Sequence, residues 1–508
     1  MARLPSKTRT ASSLFSKLLA VLREAGVVPQ PSNNTMSPTV GPDLAPSSSL
    51  AQFRPAGIPL NRRSSTSSSK SLPDNLSIGT SPAYSASSLS IPFEDADVDV
   101  VRVEGLRHAN VKLEARRYKT APFAEHLLQI LHIIRTPSWS ESEITPDRIS
   151  IQKVSGSLTN AVYFVSCPPV PKTRTVLLRI YGPSSGTLIS RPRELYTLHA
   201  LSSRYHIGPR VYGTFENGRV EEYFDSTALT AADMRDPEVS SWIGARMAEL
   251  HGVDIDAVES EPPTPEGPDG EIQPTTKKSV KSWLPNAREV LSSPGAPADV
   301  RDALDLDRFQ REWEQYVQWV SQKEKSERSS SPLVFSHNDA QYGNLLRLRT
   351  LKEGQPAHRQ IIVVDFEYAA PNPAAYDIAN HFHEWTADYH GPTPHLLDPA
   401  RHPTREERRN FYRAYLTHTQ SPLDAPAPPA APALSPDALE AEMRALDEHV
   451  RVWSPASHAV WAVWGVVQAR EFVEGQDGEP EFDYLGYAQC RMEGFRREIR
   501  ALGIQPVS

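Results

Sequence analysis

The sequence predicts an α+β protein in which a small β-rich lobe precedes a larger, mostly helical lobe. Three observations predict this class. Runs rich in β-branched and aromatic residues crowd between residues 149 and 224, and apolar stripes of helical period dominate after Leu229. Ahead of both, Pro29 to Ser90 consists mainly of Ser, Pro, Asn and Thr. The predicted boundaries are 1–97 for a disordered tail, 98–224 for the N-terminal lobe and 225–508 for the C-terminal lobe.

The composition of the 508 residues excludes several classes of protein. Lys and Arg number 54 against 62 Asp and Glu, and the net charge of −8 argues against a chain built to grip nucleic acid or an anionic membrane. Two cysteines can build neither a disulfide framework nor a Cys-only zinc site, which favours a reducing compartment. The sequence contains no run of about 18 apolar residues, the length that a membrane-spanning helix needs. We therefore expect a cytoplasmic protein without a transmembrane segment.

The predicted tail has almost no repeated apolar face. It cannot bury enough apolar area to offset the entropy of ordering, so we expect it to be disordered. Its first residues allow an alternative, because basic residues surround Leu14 and Phe15 and no acid precedes Glu24. That composition also fits a transit peptide.

The elements of the N-terminal lobe follow in order. Pro122 to Ile134 carries an apolar stripe of helical period, and Pro122 suits a first helical turn, where a missing N–H costs nothing. Period and residue type then predict five strands and one helix. The strands are Ile149–Val154, Ala161–Val165, Thr175–Ile180, Val211–Phe215 and Arg219–Phe224, and the helix is Arg193–Leu201.

The C-terminal lobe is predicted to be helical, with flexible insertions. Apolar residues of helical period predict helices at Pro237–Leu250, Leu304–Val320, Arg405–Thr417, Pro436–Val452 and Ser457–Val473. Three segments rich in Pro, Ser or charge are predicted to be flexible loops, at residues 259–276, 323–331 and 421–436.

One stretch of the C-terminal lobe carries most of the predicted chemistry. An apolar segment leads to Asp339, Asn344 follows five residues later, and Asp365 ends the strand that begins at Ile361. A carboxylate on a tight turn can accept a hydroxyl proton, while an amide and a second carboxylate can hold Mg²⁺ against ATP phosphates. The Asp-x₄-Asn spacing and the Asp-Phe-Glu at Asp365 match the catalytic elements of kinases. The motif therefore predicts phosphoryl transfer.

The segment from Asp365 to Trp385 resembles the signature of the choline and ethanolamine kinases. It reads Asp-Phe-Glu-Tyr-Ala-Ala-Pro-Asn-Pro-Ala-Ala-Tyr-Asp-Ile-Ala-Asn-His-Phe-His-Glu-Trp, and the resemblance runs from about Ser150 to Arg497. An aminoglycoside phosphotransferase would share the motif residues but not this long signature. The resemblance implies a bilobal protein-kinase-like fold. It also implies Mg²⁺-dependent in-line transfer from ATP to choline, the first step of the CDP-choline route to phosphatidylcholine.

The resemblance also assigns roles in the catalytic loop. It implies that Asp339 is the catalytic base and that Asn344 and Asp365 are the magnesium ligands. Gln341 lies in the same loop and is expected to help position phosphate. Tyr342 stands where some members carry Glu, a departure that bears on substrate choice.

In the N-terminal lobe the resemblance implies a site for ATP. Arg179 resembles the basic residue that reaches the phosphates, and Glu194 on the following helix is its expected ion-pair partner. Glu221 to Tyr223 resembles the hinge whose backbone meets adenine. The loop expected to cover the phosphates departs from the glycine-rich pattern at its first position, and it comprises Ser155, Gly156, Ser157, Thr159 and Asn160.

Choline is cationic but has no N–H to donate, so a pocket must hold it with aromatic faces and nearby carboxylates. The aromatic residues implied by the resemblance are Trp461, Trp464, Tyr487 and Tyr389, and the acidic ones are Glu384 and Asp339. Without the resemblance, two tryptophans at helical spacing would more often be core residues.

Three alternatives remain open from the sequence. Ethanolamine, alone or beside choline, is the first, although its three N–H donors want acceptors more than aromatic faces. The second is an inactive kinase-fold scaffold, against which the complete catalytic set argues. A homodimer is the third, suggested by the resemblance alone.

Four polar residues are expected to brace the site rather than to act in it. His337 and His381 are interpreted as hydrogen-bonding supports of turns, because no partners at zinc spacing surround them. Asp377 and Asn380 are expected to tie the signature segment to the core, and a contribution near the metal is the alternative for them.

Overall fold

The structure, a computed structural model, describes residues 102–156, 160–181, 190–259, 273–419, 434–475 and 482–505. The predicted disordered tail and its transit-peptide alternative lie outside the described residues. So do most of the predicted flexible loops at 259–276 and 421–436, whose described ends are structured. Glu259 is buried and pairs with Arg193 at 2.7 Å, while Thr275 and Pro436 each begin a helix.

The N-terminal lobe contains a six-stranded sheet with the order β1-β5-β6-β4-β3-β2. Its strands are β1 (His108–Ala109), β2 (Ser150–Gly156), β3 (Asn160–Ser166), β4 (Val176–Tyr181), β5 (Val211–Phe215) and β6 (Gly218–Glu222). The five predicted strands are confirmed. The sixth, β1, pairs parallel to β5. Its two residues are too few to show an alternating pattern, so the sequence did not reveal it.

Two helices pack around this sheet, and they belong to different cores. Helix α1 (Ala121–Ile133) buries Leu127 and Leu131 with the sheet residues Leu178 and Val220. Helix α2 (Arg191–Arg204) instead buries Leu195 and Leu201 in the core of the C-terminal lobe. Glu194, a polar residue on α2, is therefore held at the junction of the two lobes.

Helices dominate the C-terminal lobe. They are α3 (Pro237–His251), α4 (Ile255–Val258), α5 (Thr275–Ser292), α6 (Ala298–Leu304), α7 (Leu306–Glu327), α8 (Ala374–Glu384), α9 (Arg405–His418), α10 (Pro436–Gln468), α11 (Arg470–Val473) and α12 (Tyr484–Ala501). Two small sheets lie beside them, with the orders β10-β9-β7 and β11-β8. Their strands are β7 (Ser226–Ala228), β8 (Leu333–Ser336), β9 (Leu345–Leu348), β10 (Ile361–Val363) and β11 (Ala370–Pro373).

Two predictions about these helices are wrong. The predicted loop at 323–331 is helical as far as Glu327, because α7 continues with a Lys323–Glu327 pair one turn apart at 2.7 Å. The two helices predicted around Pro455 are one helix of 33 residues, α10. A proline normally breaks a helix because it removes a hydrogen bond. The carbonyl that loses its helical donor here is that of Arg451, and the Tyr316 hydroxyl donates to the neighbouring Val452 carbonyl at 2.8 Å.

Helices α5, α8 and α12 were not predicted as separate elements. All residues of α8 are buried, so it shows no polar face to mark its period. Among the described helices, none combines the length and the apolar composition that crossing a membrane requires.

Candidate active site

The catalytic-loop motif forms a tight turn directly after β8. Asn338 adopts a left-handed backbone with φ of 65°, which asparagine tolerates better than most residues. The turn places Asp339 in a position where only 6% of it is exposed. Asn344 Nδ2 donates to Asp339 Oδ2 at 2.8 Å and to the Asp339 carbonyl at 3.0 Å. The two predicted site residues are therefore in contact.

Buried Asp377 anchors this turn from α8. Its Oδ2 and Oδ1 accept the backbone N–H groups of His337 and Asn338 at 2.9 and 2.8 Å. Oδ2 also contacts His251 Nε2 at 3.0 Å. Although burial raises the pKa of Asp377, the hydrogen bond from His251, the charges of His251 and His337 and the His337 N–H together hold that pKa below its usual range. The predicted role of Asp377 as a tie to the core is confirmed.

The other predicted braces are confirmed as well. The Asp339 N–H donates to His337 Nδ1 at 3.2 Å, so the ring proton lies on Nε2, which donates to the Val364 carbonyl at 3.0 Å. Burial lowers the pKa of His337, which keeps this neutral form. Asn380 Nδ2 donates to the Asn338 carbonyl at 3.0 Å, and His381 Nδ1 lies 2.7 Å from the carbonyl of Ala340.

Gln341 lies in the same turn. Its Oε1 accepts the Gly343 N–H at 2.8 Å, so the side chain caps the short turn that leads to Asn344. Its Nε2 is buried and has no hydrogen-bond partner among the described residues. An unpaired donor at this position suits a phosphate oxygen.

Asp365 follows β10 with a left-handed backbone, φ 67°. The preceding Val364 N–H donates to the Asn344 carbonyl at 3.0 Å, which joins the two predicted metal ligands through one backbone hydrogen bond. Burial raises the pKa of Asp365 to about 6, against the opposing effect of Arg179. Oδ1 is buried without a hydrogen-bond partner in the described part of the chain. A buried, unpaired carboxylate oxygen fits the oxygen ligands that a divalent cation takes.

The predicted ion pair between Arg179 and Glu194 is replaced by a larger network. Glu194 accepts a hydrogen bond from Arg219 at 2.7 Å, and Arg219 also binds Glu221. Arg179 lies 3.6 Å from Glu221. The sequence analysis missed Arg219, which is only 2% exposed. Its position follows from the strand pairing in the structure, in which Arg179 on β4 lies opposite Arg219 on β6.

The adenine and phosphate elements are only partly described. Glu221 is buried with its carboxylate turned towards the two arginines, and Tyr223 packs edge-on against Phe164 with ring centroids 4.8 Å apart. Gly156 pairs with Ala161 at the end of the β2–β3 ladder. Ser157 and Thr159 lie outside the described residues, as do the side chains of Ser155 and Asn160.

The aromatic residues predicted to bind the cation come together behind the catalytic loop. The rings of Trp461 and Trp464 lie 5.2 Å apart, and that of Tyr487 lies 6.0 Å from Trp464. The Tyr389 hydroxyl donates to Glu384 Oε2 at 2.6 Å. The six residues predicted for the choline site, these five and Asp339, come from separate segments. Helices α8, α10 and α12 hold most of them.

Tyr368 is an aromatic member that the sequence analysis missed. Its ring lies 5.5 Å from Trp461 in an edge-to-face arrangement, and its hydroxyl accepts the Trp464 Nε1–H at 2.9 Å. Its place inside the Asp365–Trp385 signature was the available signal. It connects the segment that follows Asp365 directly to the aromatic cluster.

Arg491 is a buried cation in this cluster that the sequence did not reveal. It is 0% exposed, donates to Glu384 Oε1 at 2.8 Å and donates through Nε to the Tyr487 hydroxyl at 3.0 Å. The charge of Glu384 is therefore already balanced. Asp339 supplies the other negative charge: burial and nearby charges that include Asp339 raise the pKa of Tyr376 and of Tyr487.

Tyr342 is tied to the same cluster. Its hydroxyl accepts the Tyr389 N–H at 2.8 Å, and the two rings lie 5.6 Å apart. The departure noted at this position thus acts on the residue that hydrogen-bonds Glu384.

Comparisons with known proteins agree with this geometry. A family model described as choline/ethanolamine kinase matches residues 151–496. A choline kinase of Schizosaccharomyces pombe is 34% identical over 427 residues, covering 75% of this chain and 90% of that protein. A choline kinase of Saccharomyces cerevisiae is 28% identical over 468 residues, covering 75% and 76%. An ethanolamine kinase of S. cerevisiae is 24% identical over 454 residues, covering 78% and 80%.

Solved structures share the fold. The crystal structure of a Cryptosporidium parvum choline kinase matches with a TM-score of 0.54 and 23% identity, covering 75% of this chain and 98% of that one. A Plasmodium vivax ethanolamine kinase matches with a TM-score of 0.54 and 21% identity, covering 74% and 95%. At these identities the likeness shows the fold alone, and it agrees with the predicted bilobal arrangement.

Proposed function

The chain belongs to the choline/ethanolamine kinase family, and we propose that it transfers the terminal phosphoryl group of ATP to choline, with Mg²⁺ as its metal. ATP as co-substrate and a divalent metal follow from the family. The observation that carries the proposal is the position of Asp339. Its carboxylate contacts the amide of Asn344 on one side. On the other side it lies near Tyr487 of the aromatic cluster, where its charge adds to the burial that raises the pKa of that phenol.

Asp339 is the base in this proposal. It accepts the proton of the choline hydroxyl while that oxygen attacks the phosphoryl group in line with the departing ADP. The turn built on Asp377 holds Asp339 in place, and burial limits the number of waters that compete for its carboxylate. No covalent phosphoenzyme is required.

Asn344 and Asp365 are proposed to hold the metal through their side-chain oxygens. A bound Mg²⁺ supplies neutralisation of the phosphate charge. Gln341 Nε2 is proposed to donate to a phosphate oxygen in the same loop.

Arg179 is proposed to reach the ATP phosphates, as the family resemblance implies. Its Nε lies 3.6 Å from Glu221 Oε1, beyond hydrogen-bond distance. Glu194 acts through Arg219, which it holds in the network beside Arg179. The backbone from Glu221 to Tyr223 is proposed to meet adenine. The loop of Ser155, Gly156, Ser157, Thr159 and Asn160 is proposed to cover the phosphates.

The choline site is proposed to use the faces of Trp461, Trp464, Tyr487 and Tyr389. Asp339 is proposed to supply the negative charge, while Glu384, paired with Arg491, holds the Tyr389 hydroxyl. Each cation–π contact contributes about 0.5–2 kcal/mol. Because Arg491 already balances Glu384, few acceptors remain for the three N–H donors of ethanolamine. The cluster therefore favours choline over ethanolamine.

The test is kcat/KM for choline and for ethanolamine with Mg²⁺-ATP. We expect a ratio above about tenfold in favour of choline, equivalent to about 1.4 kcal/mol of transition-state binding. A ratio below one would assign the chain to ethanolamine instead. Turnover of neither alcohol would reject both substrates.

Trp461 gives a sharper test of the aromatic site. Trp461→Leu is expected to raise the KM for choline about 2- to 30-fold, the equivalent of about 0.5–2 kcal/mol, and to leave the KM for ATP unchanged. Trp461→Phe keeps an aromatic face and should have a smaller effect. Trp319→Leu, which removes a half-buried indole on α7, serves as the matched control. An unchanged KM for choline in Trp461→Leu would remove this residue from the site.

A further inference from the structure

A cavity of about 500 Å³ lies in the C-terminal lobe among α8, α10 and α12. Three of its lining residues, His383, His458 and Glu498, bring their donor atoms within 4.8 Å of one another. None of the residues proposed for phosphoryl transfer or choline binding lines this cavity. The inference that follows is therefore independent of the proposed function.

The geometry points to a zinc site formed by His383 Nε2, His458 Nε2 and Glu498 Oε1, with an open coordination position towards the cavity. Glu498 Oε1 lies 3.4 Å from His458 Nε2 and 3.8 Å from His383 Nε2. Both separations exceed an ordinary hydrogen bond of about 2.7–3.2 Å. Two donor atoms at about 2.0–2.1 Å from a tetrahedral zinc lie about 3.4 Å apart, which matches the observed spacing.

The cluster is not satisfied by the protein alone. His458 is 2% exposed, yet neither of its ring nitrogens has a hydrogen-bond partner within the described ranges, and the same is true of Glu498 Oε2. Buried polar atoms are nearly always paired. Of the three unpaired atoms, His458 Nε2 is one of the proposed ligand atoms, and zinc would supply its missing partner. His383 Nε2 does contact the Ser454 hydroxyl, at 2.9 Å.

The donor set selects the ion. Two imidazoles and one carboxylate suit zinc, whereas Mg²⁺ and Ca²⁺ prefer oxygen ligands throughout. Three protein ligands leave a fourth position for water or for a donor that enters the cavity.

The close packing of α12 against His458 depends on a glycine. A Cβ added to Gly494 would lie 2.5 Å from His458 Cε1, so only glycine lets α12 pass this close to the imidazole. Glu498 lies one turn further along the same helix. The three ligands come from three helices, which also carry Glu384, Trp461 and Arg491. Zinc would join these three helices.

The experiment uses the full chain without a histidine tag, stripped with EDTA. Zinc is titrated calorimetrically, and Co²⁺ is used as a spectroscopic probe because its visible d–d absorption reports low-coordinate nitrogen and oxygen ligands. We expect one ion per chain and a higher melting temperature in zinc but not in magnesium. Glu498→Gln and His458→Gln should each weaken zinc binding at least about 100-fold, since losing even an outer-sphere partner typically costs 10–100-fold.

His449→Gln is the matched control, because His449 lies on the same helix but near the surface, where it contacts Ser329. It should bind zinc as the unchanged chain does. Absence of zinc binding to the unchanged chain, or binding unaffected by Glu498→Gln and His458→Gln, would overturn the assignment. If the variants fail to fold, X-ray absorption of the zinc-loaded unchanged chain decides, and a spectrum without imidazole scattering would reject the site.

Discussion

Asp339→Asn is expected to lower kcat about 10²- to 10⁴-fold, the usual contribution of a positioned general base. The substitution keeps the size of the side chain and an oxygen that can still accept from Asn344 Nδ2. It removes only the ability to take a proton and the negative charge that faces the aromatic cluster. We therefore expect an unchanged melting temperature and an unchanged affinity for Mg²⁺-ATP, measured by calorimetry beside the steady-state rate.

Asp302→Asn provides the control, because Asp302 is an exposed carboxylate on α6 in the same lobe. Its rate should equal that of the unchanged enzyme. If Asp339→Asn kept more than a few per cent of the activity, Asp339 would not be the base. Loss of nucleotide binding together with the rate would point instead to a role in holding the metal.

Glu384→Gln is expected to lower the free energy of unfolding by about 3–5 kcal/mol, because it leaves Arg491 buried and without its anionic partner. The chain offers a matched comparison on its surface. Arg288 and Asp307 are also separated by 2.8 Å, but the side chain of Asp307 is 80% exposed. Asp307→Asn should cost less than about 1 kcal/mol, since solvent screens an exposed pair. Urea denaturation of the two variants measures the difference.

Arg491→Met in the Glu384→Gln background tests the cause. If the cost comes from an unpaired buried charge, the second substitution should recover part of the lost stability. A double variant less stable than Glu384→Gln alone would show that Arg491 acts through its hydrogen bond to Tyr487 instead. Recovery of stability without recovery of choline turnover would show that the pair also shapes the substrate site.

The regular elements and the catalytic loop could be predicted because their signals are local. Runs of β-branched and aromatic residues predict strands β2 to β6. Asp339 and Asn344 stand five residues apart on one turn, so their contact follows from the chain itself. Asp365 follows strand β10, which pairs with β9. Since β9 begins directly after Asn344, this pairing brings Asp365 close to Asn344 in the fold. Where local signals conflicted with packing, as at Pro455, prediction failed.

Partners of buried charges could not be predicted, because packing of distant segments decides them. Glu194 faces Arg219 rather than Arg179, as the pairing of β4 with β6 dictates. Glu384 meets Arg491 from 107 residues away. Taking a charge out of water costs several kcal/mol, so each buried ion must find its partner wherever the fold supplies one. The sequence by itself thus determined the lobes, the motif and the chemistry it implies, whereas only the tertiary structure decided which charges balance and which donor atoms converge.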